Sequence, residues 1–347
     1  MSNEQYEKPT MKQLYKGHLP KGVRDFNKPN FGLGARQIDR ALINASLEGL
    51  GGVKNNTHQA RLPACRDFAR FLKEETEVRR LNQVNKSHVT LYGEYLRERF
   101  ESDESFTSSS ARDYLSHVNV CLAQARGDDK LKVGATRDLD YPPKTGIATV
   151  DRSTPIAQHQ RIVAEVSEEV GIAVSIQRHL GLRQREASLF DCDKALAEYH
   201  RTGKVTISRG TKGGQDRSLE IEDKAQVHAL ALGQQLQAKT GHDNLVPEGE
   251  SFKAFQSRAW REVTAIDPTY HSHGERKFFA IDFYTGKAGV EPPVVAGVEH
   301  GKAHHKHMAE KLGVSIEEAK KVDKEVRLAL SRLLGHHRVG ITNNYIG

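Results

Sequence analysis

The last stretch of the chain reads Leu333-Leu334-Gly335-His336-His337-Arg338-Val339-Gly340-Ile341-Thr342-Asn343-Asn344-Tyr345-Ile346-Gly347. A Leu-Gly-His turn follows a charged helical run, and a tyrosine stands nine residues after His336. Two other stretches take on meaning beside it: Gly181-Leu182-Arg183-Gln184-Arg185-Glu186, and His273-Gly274-Glu275-Arg276-Lys277-Phe278-Phe279-Ala280. Together they offer guanidiniums, imidazoles and a phenol on separate segments that a fold can assemble. Two guanidiniums clamp a phosphate by forked hydrogen bonds. Histidines donate to phosphate oxygens or move protons near neutral pH, and a tyrosine can be a covalent nucleophile. No carboxylate pair and no spaced Cys/His set accompanies them. The set reads as phosphoryl-transfer chemistry in which side-chain cations replace metal ions, so no metal and no cofactor is expected.

In order, in internal spacing and in their place along the chain, the three stretches resemble the Arg box, the His-x-x-Arg box and the Leu-Gly-His…Tyr box of the tyrosine recombinases (phage-integrase family). The resemblance spans roughly residues 155–347. It implies a mainly α fold with a small antiparallel β-sheet: an N-terminal four-helix, SAM-like core-binding domain, then the recombinase catalytic domain. Arg178, Arg183 and Arg185 are equal candidates by residue type alone, and the family pattern Gly-Leu-Arg-x-x-Glu selects Arg183. Lys212, in a Gly-rich hairpin turn, falls where the family carries its catalytic lysine. The implied set is Arg183, Lys212, His273, Arg276, His336 and Tyr345. Tyr345 attacks the scissile phosphate, Arg183 and Arg276 hold its oxygens, and His336 hydrogen-bonds it. His273 accepts the tyrosine proton, and Lys212 protonates the leaving 5′-oxygen. The implied function is a site-specific DNA recombinase or integrase of a mobile element, working through a 3′-phosphotyrosyl link. The implied partner is double-stranded DNA, with assembly as a tetramer on paired sites. Two alternatives stand beside it: DNA relaxation of the type IB topoisomerase kind, and a DNA-binding relative without catalysis. Glu275 departs from the family, which usually carries leucine there, and is expected to point away from the phosphate. Many relatives continue past the tyrosine into a tail that docks on a neighbouring subunit, whereas here two residues follow it. Tyr284 is the nearest rival nucleophile, but no family pattern supports it.

The chain has 347 residues, enough for two domains. Its net charge of +7 suits a polyanionic partner, though basic balance alone is a weak pointer. Cys65, Cys121 and Cys192 form no ligand motif and read as buried residues in a reducing compartment. No apolar run of about 18 residues is present, so no membrane span is expected. The polar N-terminus argues against a signal peptide. A cytoplasmic protein is expected.

Residues 1–33 carry Lys8, Lys12, Lys16, Lys21, Arg24 and Lys28 among prolines and glycines, and read as a basic flexible tail. Residues 34–126 read as four amphipathic helices. The first carries Ile38, Leu42 and Ala45. The second is capped by Thr57 and disturbed by Pro63. The third is capped by Ser87, and the fourth opens at Ser108–Ser110. Residues 127–152 have linker composition, which leaves 153–347 as the catalytic domain. There, Pro155 opens a helix and a second covers Ile172, Ile176 and Leu180. Lys204–Ile221 alternates as a β-hairpin around Gly210–Asp216. Helices are expected near 223–239 and 250–266. His300, His304, His305 and His307 crowd a stretch longer than the family usually has there. Their spacing matches no standard metal set, so a solvated, partly cationic insert is expected. Ser315 then opens a charged helix ending near Leu334.

Overall fold

The computed structural model describes residues 24–336 and 338–347. The lysines of the expected basic tail at 8, 12, 16 and 21 lie outside the described residues. The chain forms two compact units, one ending at Thr145 and the other running from Gly146 to Gly347.

The first unit is helical: α1 (Ile38–Glu48), α2 (Asn56–Glu75), α3 (Lys86–Ser102), α4 (Ser108–Arg126) and the short α5 (Ala135–Leu139). The caps sit slightly upstream of those expected. Asn55 accepts from the His58 amide at 3.0 Å and Asn85 from the His88 amide at 3.2 Å. Thr57 and Ser87 therefore fall inside the first turns, because a short Asn side chain preceding the helix reaches back to the free amides. Thr107 caps α4. Helix α2 runs through Pro63. The local cost is outweighed by the face it buries, with Ala64, Cys65, Phe68 and Leu72 fully enclosed.

Two stretches expected to be loose belong to this unit. The Arg24 guanidinium donates to the carbonyls of Phe31 (2.6 Å), Ala125 (2.8 Å) and Gln124 (2.9 Å), and pairs with Glu48 at 3.3 Å. Two of those carbonyls end α4, where oxygens lack helical partners and a cation is favoured. Arg24 is thus an anchor, not part of a flexible tail. The first half of the expected linker is also core: Leu131, Val133, Leu139 and Tyr141 are buried with the four helices, and the Tyr141 hydroxyl donates to the Gly93 carbonyl at 2.6 Å.

The second unit comprises α6 (Ile156–Glu165), α7 (Glu168–Leu180), α8 (Gln184–Ser188), α9 (Cys192–Thr202), β1 (Lys204–Ile207) and β2 (Arg217–Glu220). It continues with α10 (Lys224–Thr240), α11 (Phe252–Ile266), α12 (His273–Ala288), α13 (Pro293–Ala296), α14 (Lys302–Leu312), α15 (Ile316–Leu333) and α16 (Asn343–Ile346). Helix α7 is buried on nearly every face and packs against α6, α8, α10 and α12. The two strands pair antiparallel, Val205 opposite Leu219 and Ile207 opposite Arg217. The fold is mainly α with a small antiparallel sheet, as the resemblance implies. The His-rich stretch differs from expectation. Helix α14 buries His304, Met308 and Ala309, and packs on α15. Among the described residues, no helix is long and apolar enough to cross a membrane.

Candidate active site

The Arg box is built where α7 stops. Gly181 takes a left-handed conformation (φ +63), and a Cβ there would run into the Phe279 ring, so the turn demands glycine. Arg183 then stands at the N-cap of α8 in extended conformation. Glu186, three residues on, reaches back to it: one carboxylate oxygen accepts from the Arg183 amide at 2.9 Å, the other from its guanidinium at 2.6 Å. This is the logic of a capping box, with an acid three residues into the helix satisfying a free amide.

Glu186 is fully buried and carries more than one cation. Arg217 binds it with both terminal nitrogens, at 3.0 and 2.6 Å, and Arg276 lies 3.8 Å away. Burial alone would raise its pKa. Arg217, then Arg183, overcome that and hold it down at about 2. Three guanidiniums thus share one carboxylate. The surplus positive charge in a low-dielectric setting is what an anionic group would neutralise.

Arg276 ties the three sequence boxes together. Its side chain is wholly enclosed. One terminal nitrogen donates to the Gly181 carbonyl, in the Arg box, and the other to Leu334 at 2.5 Å, in the Leu-Gly-His box. Its Nε donates to the Tyr345 hydroxyl at 3.3 Å. Gly181 and Leu334 are the C-caps of α7 and α15, so a cation is placed where carbonyls lack partners and helix dipoles end negative. Burial, with Arg183 adding to it, lowers the guanidinium to about 10, so it stays charged at neutral pH.

Tyr345 is buried in the four-residue α16. Its hydroxyl lies 3.5 Å from His336 Nε2, and its ring centroid 5.4 Å from that of His273. His336 follows Gly335, another left-handed glycine (φ +69), packed against Arg217. Burial, followed by Arg276, Arg183, Arg217 and Lys212, brings His336 down to about 4. His273 opens α12. Packing, then Arg276, Lys277 and Arg183, push it to about 4 as well, though part of the residue stays open to solvent. Both imidazoles are therefore neutral near pH 7, with a nitrogen free to accept. Lys212 lies on the exposed turn between β1 and β2, close enough for its charge to act on His336.

The other candidates lie elsewhere. Arg178 is buried and donates to Glu275 at 2.7 Å, and Arg185 is exposed near Phe252. Arg183 alone of the three arginines lies on Glu186. Glu275 is fully buried, with Arg178 on one oxygen and His159 on the other at 3.1 Å. Its carboxylate is thus occupied by a pair outside the six. Tyr284 is buried and donates to Asp323 at 2.5 Å. Among the described residues, no group of three or more His, Cys, Asp or Glu is arranged to hold a metal ion.

Arg217 was missed from the sequence, and Glu186 was read only as part of a pattern. A signal for Arg217 was present: two-residue alternation puts it on the same face of β2 as Leu219, facing inward.

An integrase family model matches residues 147–282. That match covers the Arg box and the His-x-x-Arg box and stops short of Tyr345. No curated protein matches at the sequence level. Among solved structures, the Tn1549 transposon integrase (residues 82–397), in complex with circular intermediate DNA, is 14% identical. It covers 90% of this chain and 96% of its own, with a TM-score of 0.51. The XerH site-specific recombinase bound to its difH substrate, in a pre-cleavage complex, is 12% identical and covers 100% of this chain and 88% of its own, at 0.53. These likenesses concern the fold. Residues 147–282 thus match the integrase family, the third box is folded onto the first two through Arg276, and the chain shares its fold with the Tn1549 integrase and XerH recombinase structures.

Proposed function

We propose that this site-specific DNA recombinase cuts and rejoins duplex DNA with Tyr345 as its nucleophile. The Tyr345 oxygen attacks the scissile phosphorus in line and its proton passes to neutral His273. The bond to the 5′-oxygen breaks, and Lys212 protonates that oxygen as it leaves. The products are a 3′-phosphotyrosyl link and a free 5′-hydroxyl. Arg183, Arg276 and His336 hold the non-bridging oxygens, where charge redistributes in the transition state. Attack by a partner strand's 5′-hydroxyl reverses the step and conserves the bond. Pairing two sites calls for four protomers, so we place a tetramer on the recombining DNA, in the cytoplasm.

The observation that carries this reading is the single buried guanidinium of Arg276, bonded at once to Gly181, Leu334 and Tyr345. It supports a tyrosine seated in its own protomer's phosphate pocket. The hydroxyl occupies a donor that a phosphate oxygen would take when DNA binds.

The test is covalent capture on nicked duplexes tiled across the DNA that flanks the gene, followed by peptide mapping of the adduct. The DNA is expected on Tyr345. Tyr345→Phe should bind the same duplex and form no adduct. DNA attached to another residue, or a Phe variant that captures at the wild-type rate, overturns the reading.

A further inference from the structure

Helix α16 has four residues, too few to hold itself together by its own hydrogen bonds. The contacts that Tyr345 makes through its hydroxyl are long, 3.3 Å to Arg276 and 3.5 Å to His336. They do not by themselves fix where the oxygen lies. The segment is gripped instead through the residues just before it. The Asn343 carbonyl accepts from the Ala148 amide at 2.8 Å. The Asn343 side-chain oxygen accepts from Arg327 NH1 at 3.0 Å, and the same nitrogen lies 3.5 Å from the Thr342 hydroxyl.

Arg327 lies on α15 with its side chain only 2% exposed, touching none of the six proposed catalytic residues in any hydrogen bond or ion pair. Its Nε donates to Asp323, one turn earlier, at 2.8 Å. Asp323 also accepts from Tyr284 of α12 at 2.5 Å, and His305 of α14 lies 3.3 Å away. One buried ion pair thus joins α12, α14 and α15 to the segment that carries the tyrosine. The second terminal nitrogen of Arg327 is buried without a partner. A buried charge pair is rarely the most stabilising way to fill such a space, and a well-packed apolar set would serve as well. What it supplies is directional: a planar fork whose outer nitrogen holds the Asn343 side chain, two residues before the ring.

We infer that Arg327, oriented by Asp323, is a positioning residue for Tyr345 and acts through Asn343 and Thr342. This rests on Tyr345 being the nucleophile. A reacting oxygen must lie close to in-line with the phosphorus, and a displacement of about 1 Å can cost on the order of a hundredfold in rate.

The experiment uses the full chain and the nicked duplex that the wild-type protein captures through Tyr345. Asn343→Ala removes the acceptor at a partly exposed position without unpairing Arg327 from Asp323. Arg327→Met removes the fork, and Arg327→Lys keeps the charge. Expected for Asn343→Ala and Arg327→Met is capture slowed about tenfold or more, with duplex affinity within about twofold of wild type. Arg327→Lys should recover part of the rate. Amide exchange over 343–346 should quicken in the free protein of both slow variants. If Arg327→Met does not fold, Asn343→Ala decides alone. The inference is overturned if Asn343→Ala captures at the wild-type rate, or if its loss of capture only follows a matching loss of binding. DNA linked elsewhere than Tyr345 would overturn the nucleophile assignment, and the exchange measurement would still judge the tether by itself.

Discussion

Arg276 and Tyr345 share a hydrogen bond of 3.3 Å, and the guanidinium that donates it is wholly enclosed, with its other two nitrogens on the carbonyls that end α7 and α15. The cation proposed to hold the scissile phosphate is thus also the pin that joins three segments far apart in the chain. On the proposed mechanism, catalysis and folding are coupled at that residue, which shapes how variants should behave.

Arg276→Lys keeps the charge but replaces a three-armed fork with a compact ammonium. At least one helix-end carbonyl is left buried and unpaired. Stability is expected to fall by about 1–3 kcal/mol, read by urea unfolding, and covalent capture on a nicked duplex should fall with it. A lysine variant as stable as wild type would show that the carbonyl contacts contribute nothing.

Glu186→Gln removes the one carboxylate shared by Arg183, Arg217 and Arg276. Three guanidiniums are then left to repel one another in a closed space. Breaking a buried pair costs about 3–5 kcal/mol, so the variant should unfold at distinctly lower denaturant. An added polyanion such as heparin should restore part of the loss. Unchanged denaturation midpoints would argue that solvent screens this basin.

The pH profile of capture should reflect where the histidines lie. His273 and His336 are both pushed down from 6.5 to about 4. A lowered pKa means that the neutral, proton-accepting form persists through neutral pH and is lost only as pH falls toward 4. The single-turnover rate should therefore be flat with respect to these groups from about pH 8 to 5.5, with its acid limb lower still. An acid limb centred near pH 6.5 that moves in His273→Gln would contradict the assignment.

Glu275→Leu places the family's usual residue at that position. The prediction is loss, not gain, because Arg178 is then buried without its partner at 2.7 Å. About 3–5 kcal/mol is expected to go. Adding Arg178→Met should return much of it, since an apolar pair can fill the space of an ion pair. Chemical denaturation of the four proteins forms the cycle, and additive effects would rule out the coupling.

Much of this site was legible in the sequence, because its boxes encode local backbone demands. Gly181 is required where a helix ends left-handed against Phe279, and Glu186 lies at the spacing from which an acid reaches a free N-terminal amide. Helix faces and hairpin strands follow from period 3.6 and period 2, which are properties of neighbouring residues. Partner choice across the chain was decided only by the tertiary structure. Arg183 was separated from Arg178 and Arg185 by a family pattern, whereas the fold separates them by what each touches. Arg217 reads as an ordinary strand residue until β2 is laid against Glu186. Arg24 reads as tail until it meets the end of α4, about a hundred residues away, and His304 reads as solvated until α14 packs on α15. The reason is physical. A side chain's period and its cap are set within a few residues, but the desolvation and charge pairing that give it a role come from elements distant in sequence, and only the packed fold brings those together.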